Sequence, residues 1–173
     1  MGERIKSCIF YQTKMVQDNY ERMIQLVTES FDMRNDPDQI SVSPEEQKKL
    51  SSIHPSTLSE MANDDGPIVW ILLIPTTQTI MERFLAKKIS EKQLLDLTRV
   101  GDTYESVYLC SASVLPEFRR RGYAKEIALN AIMDIQKYHP IKSLYYWPFS
   151  DEGQVLARSL ARALDLQLFE RKK

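Results

Sequence analysis

The chain has 173 residues, 43% hydrophobic and 27% charged, enough apolar material for one hydrophobic core at a length usual for a single domain. Lys and Arg total 23 against 24 Asp and Glu, so no whole-molecule field points to nucleic acid or to an anionic membrane. The longest apolar run, Ile68 to Ile74, is far too short to span a bilayer, and the N-terminus lacks a secretory apolar stretch. Cys8 and Cys110 cannot build a disulfide framework, so a cytoplasmic, reducing compartment is expected.

In chain order, Lys6 to Gln12 alternate loosely and suit a first strand. Asp18 then caps a helix with Tyr20, Met23, Ile24, Val27 and Phe31 on one face. Asp32 to Asp65 is polar and reads as loop, with short helices after Ser43 and after Pro55. Pro67 to Pro75 is almost wholly apolar between turn signals, which predicts a buried, central strand. Thr79 to Leu97 returns to helical spacing with a break at Ile89-Ser90-Glu91. A strand at Val107 to Val114, a helix at Tyr123 to Tyr138, a strand at Lys142 to Trp147, a helix at Asp151 to Leu164 and a strand at Leu166 to Arg171 complete a mixed α/β order without internal repeats.

The chemistry concentrates between Val114 and Ala124. Pro116 ends the strand, Gly122 lets a ligand approach the backbone closely, and a helix begins at once. Ala124, Ile127, Ala128, Ala131, Ile132 and Ile135 recur at helical spacing, so that helix is anchored on the sheet and its first turn is rigid. Its N–H groups and dipole favour an anion, yet Arg119, Arg120, Arg121 and Lys125 already crowd the same end, which calls for a counter-charge. A dipole contributes only about 0.3–1 kcal/mol, whereas hydrogen bonds to a charged group contribute roughly 1.5–3 kcal/mol each, so several N–H contacts to one pyrophosphate would dominate. The alternative is a solvated basic turn, the usual fate of a short charge run.

Other classes find less support. His54 and His139 stand apart from any cysteine or carboxylate pair at ligand spacing, so neither a zinc site nor a Ser-His-Asp arrangement is indicated. The five glycines are too scattered for a dinucleotide-binding or P-loop fingerprint. The stripe Ala157, Leu160, Ala161 and Leu164 is core packing rather than a DNA-reading helix.

The segment from Val107 to Tyr138 resembles the GNAT (N-acetyltransferase) superfamily. That family's pyrophosphate loop reads Arg or Gln, two residues, Gly, one residue, then Gly or Ala; Arg119, Gly122 and Ala124 match it in register, and Val114-Leu115-Pro116 is similar to the family's strand exit. The resemblance implies a layered α/β fold, a mixed central sheet flanked by helices, with a helical insertion before the strand that carries the site. It implies acetyl-CoA or another acyl-CoA as co-substrate, an amine as acceptor, and no metal. Its pyrophosphate would lie on Arg119, Arg120, Arg121, Gly122, Tyr123 and Ala124; in the family the strand before this loop splays from its neighbour and holds the pantetheine arm, a role that would fall to Cys110 to Val114, with the thioester along Ser111, Ala112, Ser113 and Val114. Gln154 aligns with an asparagine of the family's later helix. In that alignment Ala161 stands where the family has its acidic tyrosine, and Asp165 where it has a glycine.

For a catalytic base, Glu105 at the entrance of the Val107 strand is the first candidate and Asp102 the second. Tyr145, Tyr146 and Trp147 alternate in direction on the next strand, so either one tyrosine is available to an acceptor pocket while the other packs or, the default, all three are structural. Three functions stand open: an N-acyltransferase working by direct attack of an amine, an acyl-CoA-binding module without turnover, and an interaction domain that shares the fold. A homodimer would cover the edge of a sheet that ends early.

Overall fold

Helix α1, Asn19–Arg34, begins where Asp18 Oδ1 accepts the Glu21 N–H at 2.8 Å. The structure is a computed structural model and describes residues 18–34, 36–41 and 43–173. The strand expected at Lys6 to Gln12 lies outside these residues. Helix α2, Pro44–Ile53, carries a capping box between Ser43 and Glu46 and has Pro44 in its first turn, as the local text predicts.

The segment after Pro55 departs from expectation. Only a single 3-10 turn, Pro55–Thr57, forms there, and strand β1, Leu58–Asn63, follows where loop was expected. β1 pairs antiparallel with β2, Gly66–Thr76, and Asn63 faces Gly66 across Asp64 and Asp65. Gly66 adopts φ +113° directly after the Asp64-Asp65 turn, a backbone setting that suits glycine. β1 hides itself from pattern reading because it is an edge strand, mostly half-buried or exposed, and lacks an apolar alternation.

β2 is buried along nearly its whole length between β1 and β3, as its apolar run demands. Two helices follow: α3, Gln78–Leu85, and α4, Glu91–Leu97. The break between them is set by Ser90, which caps α4 in a reciprocal pair with Gln93. β3, Ser106–Val114, then returns antiparallel to β2. Helix α5, Tyr123–Gln136, crosses to β4, Ser143–Tyr146, and helix α6, Asp151–Leu164, crosses to β5, Gln167–Glu170. β3, β4 and β5 are parallel, so the five strands form one mixed sheet in the order β1 to β5. Two successive crossovers in one direction put α5 and α6 on the same face, where they pack together.

Ala128, Ala131, Ile132 and Ile135 of α5 are buried in the core, whereas Ile127 and Ala124 are only half-covered. Small residues on this helix let its backbone approach the sheet. Phe84 of α3 packs edge-on against Tyr108, with ring centroids 4.9 Å apart, and covers the parallel part of the sheet. Asp165 ends α6 in a left-handed conformation with φ +53°. No helix among the described residues is long and apolar enough to cross a membrane.

Two histidines give the fold a pH dependence. His54 Nδ1 accepts the Ser56 N–H at 3.0 Å, and His139 Nδ1 accepts the Tyr104 N–H at 3.4 Å, so both are held as neutral acceptors. Burial lowers the pKa of each; His139 lowers that of His54 further, and Asp134 opposes. The unfolded chain, with histidines near 6.5, therefore binds protons that the folded state resists. Stability is expected to be level near pH 7–8 and to fall as pH drops below about 6.5. His54→Gln should flatten that fall in thermal melts between about pH 6.5 and 5, and an unaltered slope would refute the assignment.

Candidate functional site

The central feature is a strand whose two edges behave differently. β3 pairs with β2 through Val114, but its parallel pairing with β4 ends at Leu109 opposite Tyr146. At this point the β2 register jumps: Leu72 faces Ser111 and Leu73 faces Leu109, leaving Cys110 as the extra residue of a bulge. β3 therefore parts from β4 at Cys110, and the segment Cys110–Val114 has one backbone edge unpaired with β4. β4 itself ends at Tyr146, so the pairing stops where the partner strand runs out, and the bulge adds local twist at the same place.

The strand leads straight into the arginine turn. Leu115 is buried and its N–H donates to Ile68 O at 3.0 Å, which fixes the exit. Pro116–Phe118 form a 3-10 turn, after which Arg120 and Gly122 both adopt positive φ, +61° and +80°. α5 starts at Tyr123 with Gly122 as its N-cap, and glycine brings no side chain to the first-turn N–H groups. A Cβ at Gly122 would meet nothing within 4 Å, so glycine is needed here for its φ and not for packing.

The cations around this helix start have distinct settings. Arg119, Arg120 and Arg121 are all exposed, and Tyr123, Ala124 and Lys125 are half-buried. Arg119 Nε donates to Val114 O at 3.1 Å, tying the turn to the end of the parted strand. Arg121 lies over the Phe118 ring, 5.3 Å from its centroid. Glu117 pairs with Arg22 of α1 at 2.7 Å, which holds its carboxyl below the usual range. The turn thus keeps its three arginines facing solvent while Glu117 is directed to α1.

The other residues singled out in the sequence fall in unequal places. Ser111 and Ser113 face α1 across a narrow crevice of about 20 Å³ lined by Val27, Ser30 and Phe31. Ala112 is exposed, and Val114 is half-buried. Gln154 lies in the first turn of α6 and accepts from Arg158 at 3.4 Å. Glu105 is not brought to this region. Its Oε2 accepts the Gln78 N–H at 2.9 Å and so caps α3 at the opposite end of β3. Five residues of strand, roughly 16 Å, separate it from Cys110. Asp102 lies beyond Glu105 in the same turn, with its N–H donating to Arg99 O at 3.4 Å.

Both tyrosines of β4 point into structure. Tyr145 is fully buried, its hydroxyl 2.7 Å from Thr76 Oγ1, and burial pushes its pKa strongly up. Tyr146 donates to Glu170 at 2.9 Å; burial first and the carboxylate second raise its pKa. Ala161, in the position aligned with the family's tyrosine, is buried against the core.

Two residues that sequence reasoning passed over stand out, Glu91 beside the bulge and Arg171 two strands away. Glu91 is 1% exposed and accepts from the Ile40 N–H at 3.3 Å, from the Tyr108 hydroxyl and, at 3.9 Å, from Cys110 Sγ. In the sequence it is only an acid in the first turn of a capped helix, and nothing there marks it as inward-facing. Arg171, directly after β5, lies between the rings of Phe84 and Trp147, 4.3 and 4.4 Å from their centroids. Among the described residues, no group of three or more His, Cys, Asp or Glu could hold a metal ion.

No family model, no curated protein and no solved structure matches this chain.

Proposed function

We propose that the chain is an acyl-CoA-dependent N-acyltransferase of the GNAT type. The observation that carries this reading is the junction at one place of a parallel strand pair that parts at Cys110 and a helix whose uncapped start follows an arginine turn. The parted edge suits an extended pantetheine arm, since its backbone groups are turned toward the gap. Arg119 to Ala124 suit the pyrophosphate, with first-turn N–H groups and exposed guanidiniums around it. In the reaction, the acceptor's neutral amine nitrogen attacks the thioester carbonyl, the C–S bond breaks, and CoA leaves as thiolate. The proton lost from nitrogen passes to a base or to water. Backbone donors along the parted edge would stabilise the developing oxyanion. The protein is expected to act in the cytoplasm, with no nucleic acid or membrane as partner, and as a monomer or homodimer.

A second reading, an acyl-CoA-binding module without turnover, is favoured by two observations. Ala161 is buried where the family's tyrosine would donate a proton, and Glu105 caps α3 far from the gap. An interaction domain that takes no ligand is the third.

A thermal melt with acetyl-CoA separates them. Binding stabilises by about 2.7 kcal/mol at a hundredfold excess over Kd, which for a domain of this size raises Tm by roughly 5–10 °C. No shift would leave only the interaction domain. A shift with thiol release from a panel of amines supports the enzyme, and a shift without release supports the binding module.

A further inference from the structure

A cavity of about 250 Å³ opens at the C-terminal ends of β4 and β5. Its wall includes Asp36, Asp38, Lys87, Lys88, Trp147 and Arg171. We infer that this cavity binds the acceptor, and that the acceptor is a small amine carrying a carboxylate, of amino-acid or dipeptide size. The inference rests on the acyltransferase reading for the word acceptor, but the cavity's chemistry stands on its own.

Arg171 supplies the main argument. Its guanidinium is stacked between Phe84 and Trp147, and the Arg171 N–H donates to Tyr146 O at 2.9 Å, so the residue is held from both ends. A guanidinium has five N–H donors. Among the described residues, Nη1 donates to Ile89 O at 3.3 Å, Nε is buried without a hydrogen-bond partner, and no carboxylate forms an ion pair with it. A stacked, partly desolvated cation without a counter-ion is unfavourable unless a ligand supplies one. A carboxylate matches the planar donor fork. Lys88 is exposed on the same wall and adds a second cation.

The opposite sign is also present. Asp36 and Asp38 line the same cavity, and Asp36 Oδ1 accepts the Asp38 N–H at 2.9 Å, which orients the pair. Cations and carboxylates on one cavity wall select a zwitterion over a simple anion or a polyamine. Reach is consistent with transfer. Arg171 follows Glu170, which pairs with Tyr146, which in turn pairs with Leu109 at the split. Two strand spacings, about 10 Å, therefore separate Arg171 from the parted strand; an extended dipeptide spans about 7 Å, and a hydrogen bond of about 3 Å at its carboxylate accounts for the rest.

The test is calorimetric titration of the full chain with alanylalanine and with its C-terminal amide, without CoA. The free-carboxylate dipeptide is expected to bind about ten- to a hundredfold more tightly than the amide. Arg171→Gln should remove that preference while leaving affinity for the amide unchanged. Because Arg171 also packs, exposed Lys88→Gln provides a second variant, which should weaken the dipeptide selectively without lowering the apo Tm. Equal binding of dipeptide and amide, or binding of neither, overturns the inference. If acetyl-CoA raises the Tm and the dipeptide shows no preference, this inference fails alone. If the dipeptide binds selectively and acetyl-CoA gives no shift, the acyltransferase reading fails and the zwitterion site remains.

Discussion

Gly122→Val is expected to abolish stabilisation by acetyl-CoA. Two effects combine at this position. Gly122 has φ +80°, a conformation in which a β-branched residue is strained by about 1–3 kcal/mol. The added Cβ points into space that holds no protein atom within 4 Å, which is the space a pyrophosphate would enter. The strain lowers the Tm of the free protein, whereas the blocked approach removes the ligand-induced rise of roughly 5–10 °C, so one melt with and without acetyl-CoA reads both. Gly122→Asn separates them further, because asparagine tolerates the left-handed region better. A Gly122→Asn protein that melts like the parent and keeps the full shift would remove the turn from the binding site.

Glu91→Ala is expected to be the most destabilising single substitution among the polar residues near the gap. The Tyr108 hydroxyl and the Ile40 N–H would both lose their carboxylate acceptor, at about 1–3 kcal/mol for each buried donor. Tyr108 is 0% exposed and lies between Phe84 and Tyr145, with centroids 4.9 and 5.2 Å away, so its hydroxyl cannot swing out to water. Losing a buried carboxylate also relieves its own desolvation, which limits the net cost to about 2–4 kcal/mol. The Tm should fall by roughly 5–15 °C on this account. Because Cys110 beside Glu91 forms the bulge, the variant should also weaken acetyl-CoA binding beyond its effect on stability. A melt unchanged from the parent would show that the Glu91 cluster carries no structural weight.

These two positions were not equally legible. Gly122 announces itself, because a proline, three arginines and a glycine directly before an apolar helical stripe form a local pattern whose turn chemistry is set by the residues themselves. The same holds for β2, whose apolar run has no stable setting except between two other strands, and for the break at Ser90 with its capping box. Glu91 and Arg171 have no such local signature. Glu91 is in the first turn of a helix, where an acid is usual on dipole grounds alone, and only the packing of α4 on β3 turns it inward. Arg171 closes the strand expected at Leu166 to Arg171, and nothing in that pattern says what it touches until parallel pairing of β5 with β4 carries it beside Trp147. Glu105 shows the converse: an acid one residue before the right strand, yet at the wrong end of it, engaged in capping α3.

β1 and the bulge mark the boundary most clearly. Strand β1 lacks periodicity because one edge and much of its surface face away from the core, so its existence depends on the Asp64-Asp65 turn folding it onto β2. The slip at Cys110 depends on how two strands far apart in sequence align, since Leu72 and Leu73 meet Ser111 and Leu109 with one residue left over. By itself, then, the sequence determined what is local: the helix stripes, the buried strand, the caps, and an arginine-rich turn at Arg119 to Ala124 ahead of a helix. The tertiary structure alone decided where β3 leaves β4, which carboxylate lies beside that gap and which arginine lines the cavity at the ends of β4 and β5. Those properties arise from pairing and packing between distant segments, and a pattern read along one strand or helix carries no information about its register against another.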